Sequence, residues 1–324
     1  MKLIATLGMA SLLVAALGLP LRADANDVFS YRALCDASAA VALGANHFAV
    51  ADDELNTLRI YQRGHAGPVG SLALAAFLDT KEDKESDLEA AAAIGTRMYW
   101  ISSHGRNASG KAQERRYRFF ATDVLAGPIP TLVTVGQPYS ELLDDLKKAP
   151  SLKGYKLADA AKLAPEAAGG LNIEGLAATP DGKLLIGFRN PVPGGSALIV
   201  TLENPKDVIE GKKAKFGLPI TLDLKGRGIR SIELVSGARY LIIAGPTADN
   251  GSFALFRWSG KSGAAAQAMP QLEFENFRPE ALFAIPQTDT VQILSDDGGV
   301  KLDGMRCKDQ EKSTQSFRSM IVKP

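Results

Sequence analysis

The strongest constraint on this chain is a block that recurs five times along it, clearest at residues 172–191, NIEGLAATPDGKLLIGFRNP. Each copy runs from a polar or charged start through an apolar strand and a tight turn into a second apolar strand with a polar end. Anchored on the acidic position of the third copy, the equivalents are Ser38, Glu89, Glu174, Arg230 and Glu280. Eleven residues on, in mid second strand, stand Ala49, Trp100, Leu185, Leu241 and Val291. Such a unit cannot bury its apolar faces alone and must stack on copies of itself, as in a propeller or a solenoid.

Successive anchors are 51, 85, 56 and 50 residues apart, and a four-stranded blade takes about 40–50 residues. The sequence therefore predicts an all-β fold, a β-propeller of five blades, with a degenerate sixth blade as the other use of the long gap. In the third copy the strands are expected at 176–179, 183–188, 197–203 and 218–224, with Asp181-Gly182 as a hairpin turn. The fourth copy repeats this at 232–235, 240–244, 253–258 and 271–274, and the first at 39–43, 47–51, 57–61 and 72–77. The last copy offers 281–285, 291–294 and 317–322 but lacks an outer strand, while the apolar segment 28–34 has no inner strand of its own. The N-terminal segment is expected to complete the last blade, closing the ring and removing an exposed edge. In the long gap, Leu142, Leu143 and Leu146 share a helical face and Pro150 ends the run, which predicts a short helical insertion at about 139–168.

The first 25 residues read as a secretory signal: Lys2, an apolar run to Leu19, then Ala23-Asp24-Ala25 as a small-x-small cleavage site. The other reading is a membrane anchor, but no stop-transfer segment follows. On this reading one propeller domain spans 26–324, has no transmembrane segment after cleavage, and works as a monomer in the periplasm or outside the cell. Losing Lys2, Arg22 and Asp24 turns 37 basic and 36 acidic residues into 35 of each. A neutral chain lacks the electrostatic footprint of a nucleic-acid binder. The only two cysteines, Cys35 and Cys307, flank the first and last copies. In an oxidising compartment they are expected to form a disulfide that clasps the ring, two buried thiols being the alternative.

In a propeller, the entries to inner strands and the exits from second strands lie on one face. That places Glu89, Glu174, Arg189, Arg230, Glu280, His104 and Asp296 together as a candidate ligand-binding rim. Any of the glutamates could equally sit in a structural ion pair. Asp52 and Asp53, with Glu54, offer the hard oxygen donors that calcium takes, or form a solvated loop. His104 has no placed Ser, Cys or Asp partner for acid–base work. Residues 105–111, GRNASGK, fit the phosphate-loop pattern, but Ala112 stands where Ser or Thr would hold magnesium, so the match is chance.

On residues 172–205, on the acidic starts DLEAAA, NIEGLA and RPEALF, and on the ending ILSDDGG…CK…SFRS, the chain resembles a bacterial exported family, domain of unknown function 3616. The resemblance runs over nearly all of 26–324 and implies a propeller of unassigned activity. The pattern EG(L/I)…G.L.(I/L)…R is also similar to the esterase-like phytase propellers. That likeness implies calcium-assisted phosphoester or ester hydrolysis, with Glu89, Glu174 and Glu280 near the metal; Ser38 and Arg230 depart from a complete acidic ring. Two functions remain. One is a scaffold that binds an unknown small molecule or protein at the polar rim. The other is a calcium-dependent phosphoesterase in which Arg189 and Arg230 would grip phosphate as forks.

Overall fold

The computed structural model describes residues 28–324 apart from Asp53, Asp83, Asp249, Gln271 and Glu273; the expected signal segment lies outside them. The second strands of the repeats are apolar on both faces, broken at mid-strand only by the buried Gln292 in blade five, so each needs cover on both sides. The fold supplies it by stacking sheet against sheet around an axis. In the second blade's strand Arg97–Ser102, Met98 and Trp100 enter the core shared with the first blade, while Tyr99 and Ile101 enter the core shared with the third. The strand Arg239–Gly245 divides in the same way, Tyr240 and Ile242 to one side, Leu241 and Ile243 to the other. Five apolar cores result, one between each pair of neighbouring blades, the last closing blade five onto blade one.

The described residues form five four-stranded antiparallel blades. Their inner strands are Ala37–Ala42, Leu88–Ile94, Asn172–Ala178, Gly228–Val235 and Pro279–Ala284. Each packs on its neighbours, and the fifth packs on the first. Sequences such as ASAAVA and LEAAAAI suit this position, because the sheets converge at the axis and leave little room for side chains. Gly175 and Gly187 show the constraint: a Cβ on either would come within 2.8 Å of Ile229 in the next blade.

The ring closes as the repeat count required. Val28–Arg32 pairs antiparallel with Ser316–Val322 as the outer strand of blade five. Tyr31 stacks on Phe317 with ring centroids 5.3 Å apart. The Cys35–Cys307 disulfide joins the same two ends, its Cα atoms 6.0 Å apart. Outer strands were the least legible. Blade one ends in Pro68–Ala73, earlier than expected, and blade three in the three-residue Ile220–Leu222. In blade four the pairing strand is Gln267–Ala268; the expected 271–274 lies partly outside the described residues. Among the described residues the long gap holds no sixth blade. Its helices Leu142–Lys148 and Leu157–Ala160, joined by a 3-10 segment Pro150–Tyr155, bury Leu142, Leu143, Leu146, Leu152 and Leu157 in the core between blades two and three.

Candidate functional site

Every inner strand carries a β-bulge at the anchor position of the repeat. Pairing with the second strand skips Ser38, Glu89, Glu174, Arg230 and Glu280 in turn. A bulge puts one extra residue in one strand, bends it and re-aims the side chain. Four of the five side chains, all but Ser38, reach a cavity of about 740 Å³ at this end of the channel. Arg189 and Asp296, at second-strand exits, line it as well.

The charges are largely spoken for. Arg189 Nη1 donates to Glu174 Oε1 at 3.0 Å, and its Nη2 donates to Glu166 Oε1 and to the Ala248 carbonyl, both at 3.1 Å. Its Nε donates to the Pro246 carbonyl at 3.1 Å. Asn172 Nδ2 adds a second donor to Glu174, at 2.8 Å from Oε1. Arg230 Nε lies 3.0 Å from Glu174 Oε2, close enough for an ion pair but without hydrogen-bond alignment. Arg230 also pairs with Glu280 and rests over Phe253, with Cζ 5.8 Å from the ring centre. Burial lowers the Arg230 pKa, while the Glu174 and Glu166 carboxylates help raise that of Arg189. Neither guanidinium is left as an open fork for phosphate.

Glu89 is different. It faces the cavity, yet it makes no hydrogen bond or ion pair with any described residue. Burial, reinforced by Glu174 and Asp87, holds its carboxyl well above the usual range, against the weaker pull of Arg230 and Arg189. A carboxyl so placed holds its proton to higher pH than an exposed glutamate, and while protonated it can both donate and accept.

His104 does not line the cavity. It is fully buried in a left-handed backbone conformation, φ 55°, with Nδ1 2.8 Å from the Ser102 carbonyl and its ring stacked on Tyr117. Burial lowers its pKa to about 4, so it is neutral and packed. Asp52 is buried too, accepting the Glu54 N–H at 2.8 Å, and burial pushes its carboxyl up to about 7. Asp53 lies outside the described residues. Among the described residues no group of three His, Cys, Asp or Glu side chains is placed to hold a metal ion. After GRNASGK comes one 3-10 turn, Glu114–Arg116, and then a strand, not the helix that would cap a phosphate after such a loop.

Sequence reasoning missed Asp36 and Asp87, and took Arg278 only as an ion-pair partner for Glu280; all three line the cavity. All stand two residues before an anchor, and Asn172 stands in the same place. A strand has a period of two, so this column was there to be found. Asp36 is buried in a β-bridge with Asp296, and burial together with that second carboxyl holds its pKa well above the usual carboxylate range. The helical insertion supplies a wall through Ala164, Pro165 and Glu166. It is held there by Asn190 Nδ2, which donates to the Pro165 and Ala167 carbonyls at 2.8 Å, and by Arg106 Nε, which donates to the Ala161 carbonyl at 2.8 Å.

Compared with known proteins, residues 131–311 match the family described as "Protein of unknown function (DUF3616)". No curated protein matches the chain significantly. Among solved structures, the glutaminyl cyclase of Myxococcus xanthus is similar at 13% identity and a TM-score of 0.47, over 91% of this chain and 94% of that one. A putative oxidoreductase (glucose dehydrogenase) of Thermus thermophilus is similar at 14% identity and 0.45, over 91% and 100%. The GH43_1 enzyme of Xanthomonas citri follows at 11% identity and 0.46, over 92% of each chain. Likeness at this level carries no argument about activity or ligand.

Proposed function

We propose, for a chain that belongs to the DUF3616 family of proteins of unknown function, that the cavity at the bulge end of the channel binds a small hydrophilic ligand without strong net charge. The observation that carries this reading is the isolation of Glu89 among paired charges. Wall charges that neutralise one another select poorly for an ion, whereas one carboxyl without a partner on the wall is left to hydrogen-bond a polar group of the ligand, such as a hydroxyl. The cavity volume of about 740 Å³ is of the size used for small molecules. The phosphoesterase alternative needs open guanidinium forks, and Arg189 and Arg230 are engaged with carboxylates. The clasping disulfide supports an oxidising compartment such as the periplasm or the cell exterior.

The test is a thermal-shift and calorimetric screen of neutral sugars, polyols and zwitterionic amino acids against the wild type, Glu89→Gln and Glu89→Leu. A ligand that stabilises the wild type is expected to bind Glu89→Leu at least about tenfold more weakly, the scale of one lost hydrogen bond in a dry site. A panel without any binder, or binding indifferent to Glu89→Leu, would sink the reading.

A further inference from the structure

The inner strands run from the charged cavity toward the other end of the channel, and there the chemistry changes. A second cavity, of about 470 Å³, is lined by the far ends of inner strands of blades one, two, four and five. Its walls are mostly small or apolar, among them Val41, Leu43, Ala93, Met98 and Ala284. Among the described residues two titratable side chains line it, Glu233 and His47. No arginine or lysine among the described residues pairs with Glu233, whose partners are backbone groups. The Ala284 N–H donates to its Oε1 at 3.1 Å. Burial pushes the carboxyl up to about 7, because no counter-cation offsets the loss of water.

A structural role does not account for the charge. Two residues earlier on the same strand, Ser231 Oγ accepts the Leu282 N–H at 3.1 Å and so bridges blades four and five in the same way. A hydroxyl suffices for that bridge. At the opposite end of the channel the chain matches Glu174 and Glu280 with arginines; here it leaves a carboxyl in an apolar chamber with its cation missing.

We propose that this end of the channel is a second binding site, which takes a small primary ammonium ligand with a short apolar body, the ammonium pairing with Glu233. The attraction gains from the low local dielectric. A guanidinium fits less well, since one carboxyl oxygen already accepts from Ala284 and bidentate pairing needs both. A quaternary ammonium would want an aromatic cage, and among the described residues no aromatic ring other than the imidazole of His47 lines the cavity.

The probe is n-butylammonium chloride, followed by calorimetry and ligand-observed NMR at pH 8, with tetramethylammonium chloride as the control cation. Glu233→Gln keeps an acceptor for the Ala284 N–H and should fold; Ala93→Leu fills the chamber and leaves the carboxyl in place. Butylammonium is expected to bind the wild type and Glu89→Gln alike, and both Glu233→Gln and Ala93→Leu at least about tenfold more weakly. Tetramethylammonium is expected to bind the wild type at least about tenfold more weakly than butylammonium does. The proposal is overturned if butylammonium does not bind the wild type, if Glu233→Gln binds it as well, or if Glu89→Gln abolishes binding and so moves the site to the other cavity.

Discussion

Glu174 and Arg230 are the bulge residues of adjacent inner strands, and the Arg230 Nε lies 3.0 Å from Glu174 Oε2. The same irregularity, repeated in neighbouring blades, brings an acid and a base together across the channel mouth. Glu280, the next bulge residue, takes the other side of Arg230.

Removing Arg230 leaves two buried carboxylates short of a partner. Arg230→Met is expected to cost about 3–5 kcal/mol, the scale for breaking a buried pair from one side. Adding Glu280→Gln to the same chain should recover part of that loss. Urea denaturation of the single and double variants measures both.

Cys35 and Cys307 tie the ring's ends across 272 residues of sequence. The Cys35→Ala, Cys307→Ala double variant should lose about 2–5 kcal/mol. Hydrogen exchange should accelerate first in Val28–Arg32, which among the described residues pairs with one strand, Ser316–Val322. Faster exchange spread evenly over all five blades would contradict a clasp at the closure.

Asp36 sets a pH dependence. Burial and the neighbouring Asp296 carboxyl raise its pKa in the folded state. Above about pH 4 the unfolded chain has released this proton while the folded chain still holds it, so stability falls as pH rises toward the folded value. Asp36→Asn removes that linkage. Melting temperatures compared between pH 5 and pH 8 should fall less in the variant than in the wild type.

Gly228 begins the inner strand of blade four against the Arg189 backbone. A Cβ there would sit 1.8 Å from the Arg189 carbonyl oxygen. Gly228→Ala is expected to cost about 2–3 kcal/mol through overpacking. Because it displaces the residue that holds Glu174, it should also weaken any ligand of the charged cavity, measured in the same titrations.

The ring, its five blades and its closing strand were legible because alternation, turn residues and a repeat of about 50 residues are local or periodic signals. The blade-four edge and the outer strand of blade three were not, since a two- or three-residue strand carries almost no pattern. His104 shows the same limit at the site. Its place at a second-strand exit was readable, but whether the ring turns toward the channel or into the core depends on one positive φ and on Tyr117.

What the sequence by itself determined is the column of anchors and the end of the channel to which they go, because spacing alone sets both. Only the tertiary structure decided which charges meet. Glu174 gains two arginines, Glu280 gains one and Glu89 gains none, although all three hold the same place in the repeat. Pairing depends on distances across the channel between blades far apart in sequence, and a repeat that makes its copies alike in register does not make their neighbours alike.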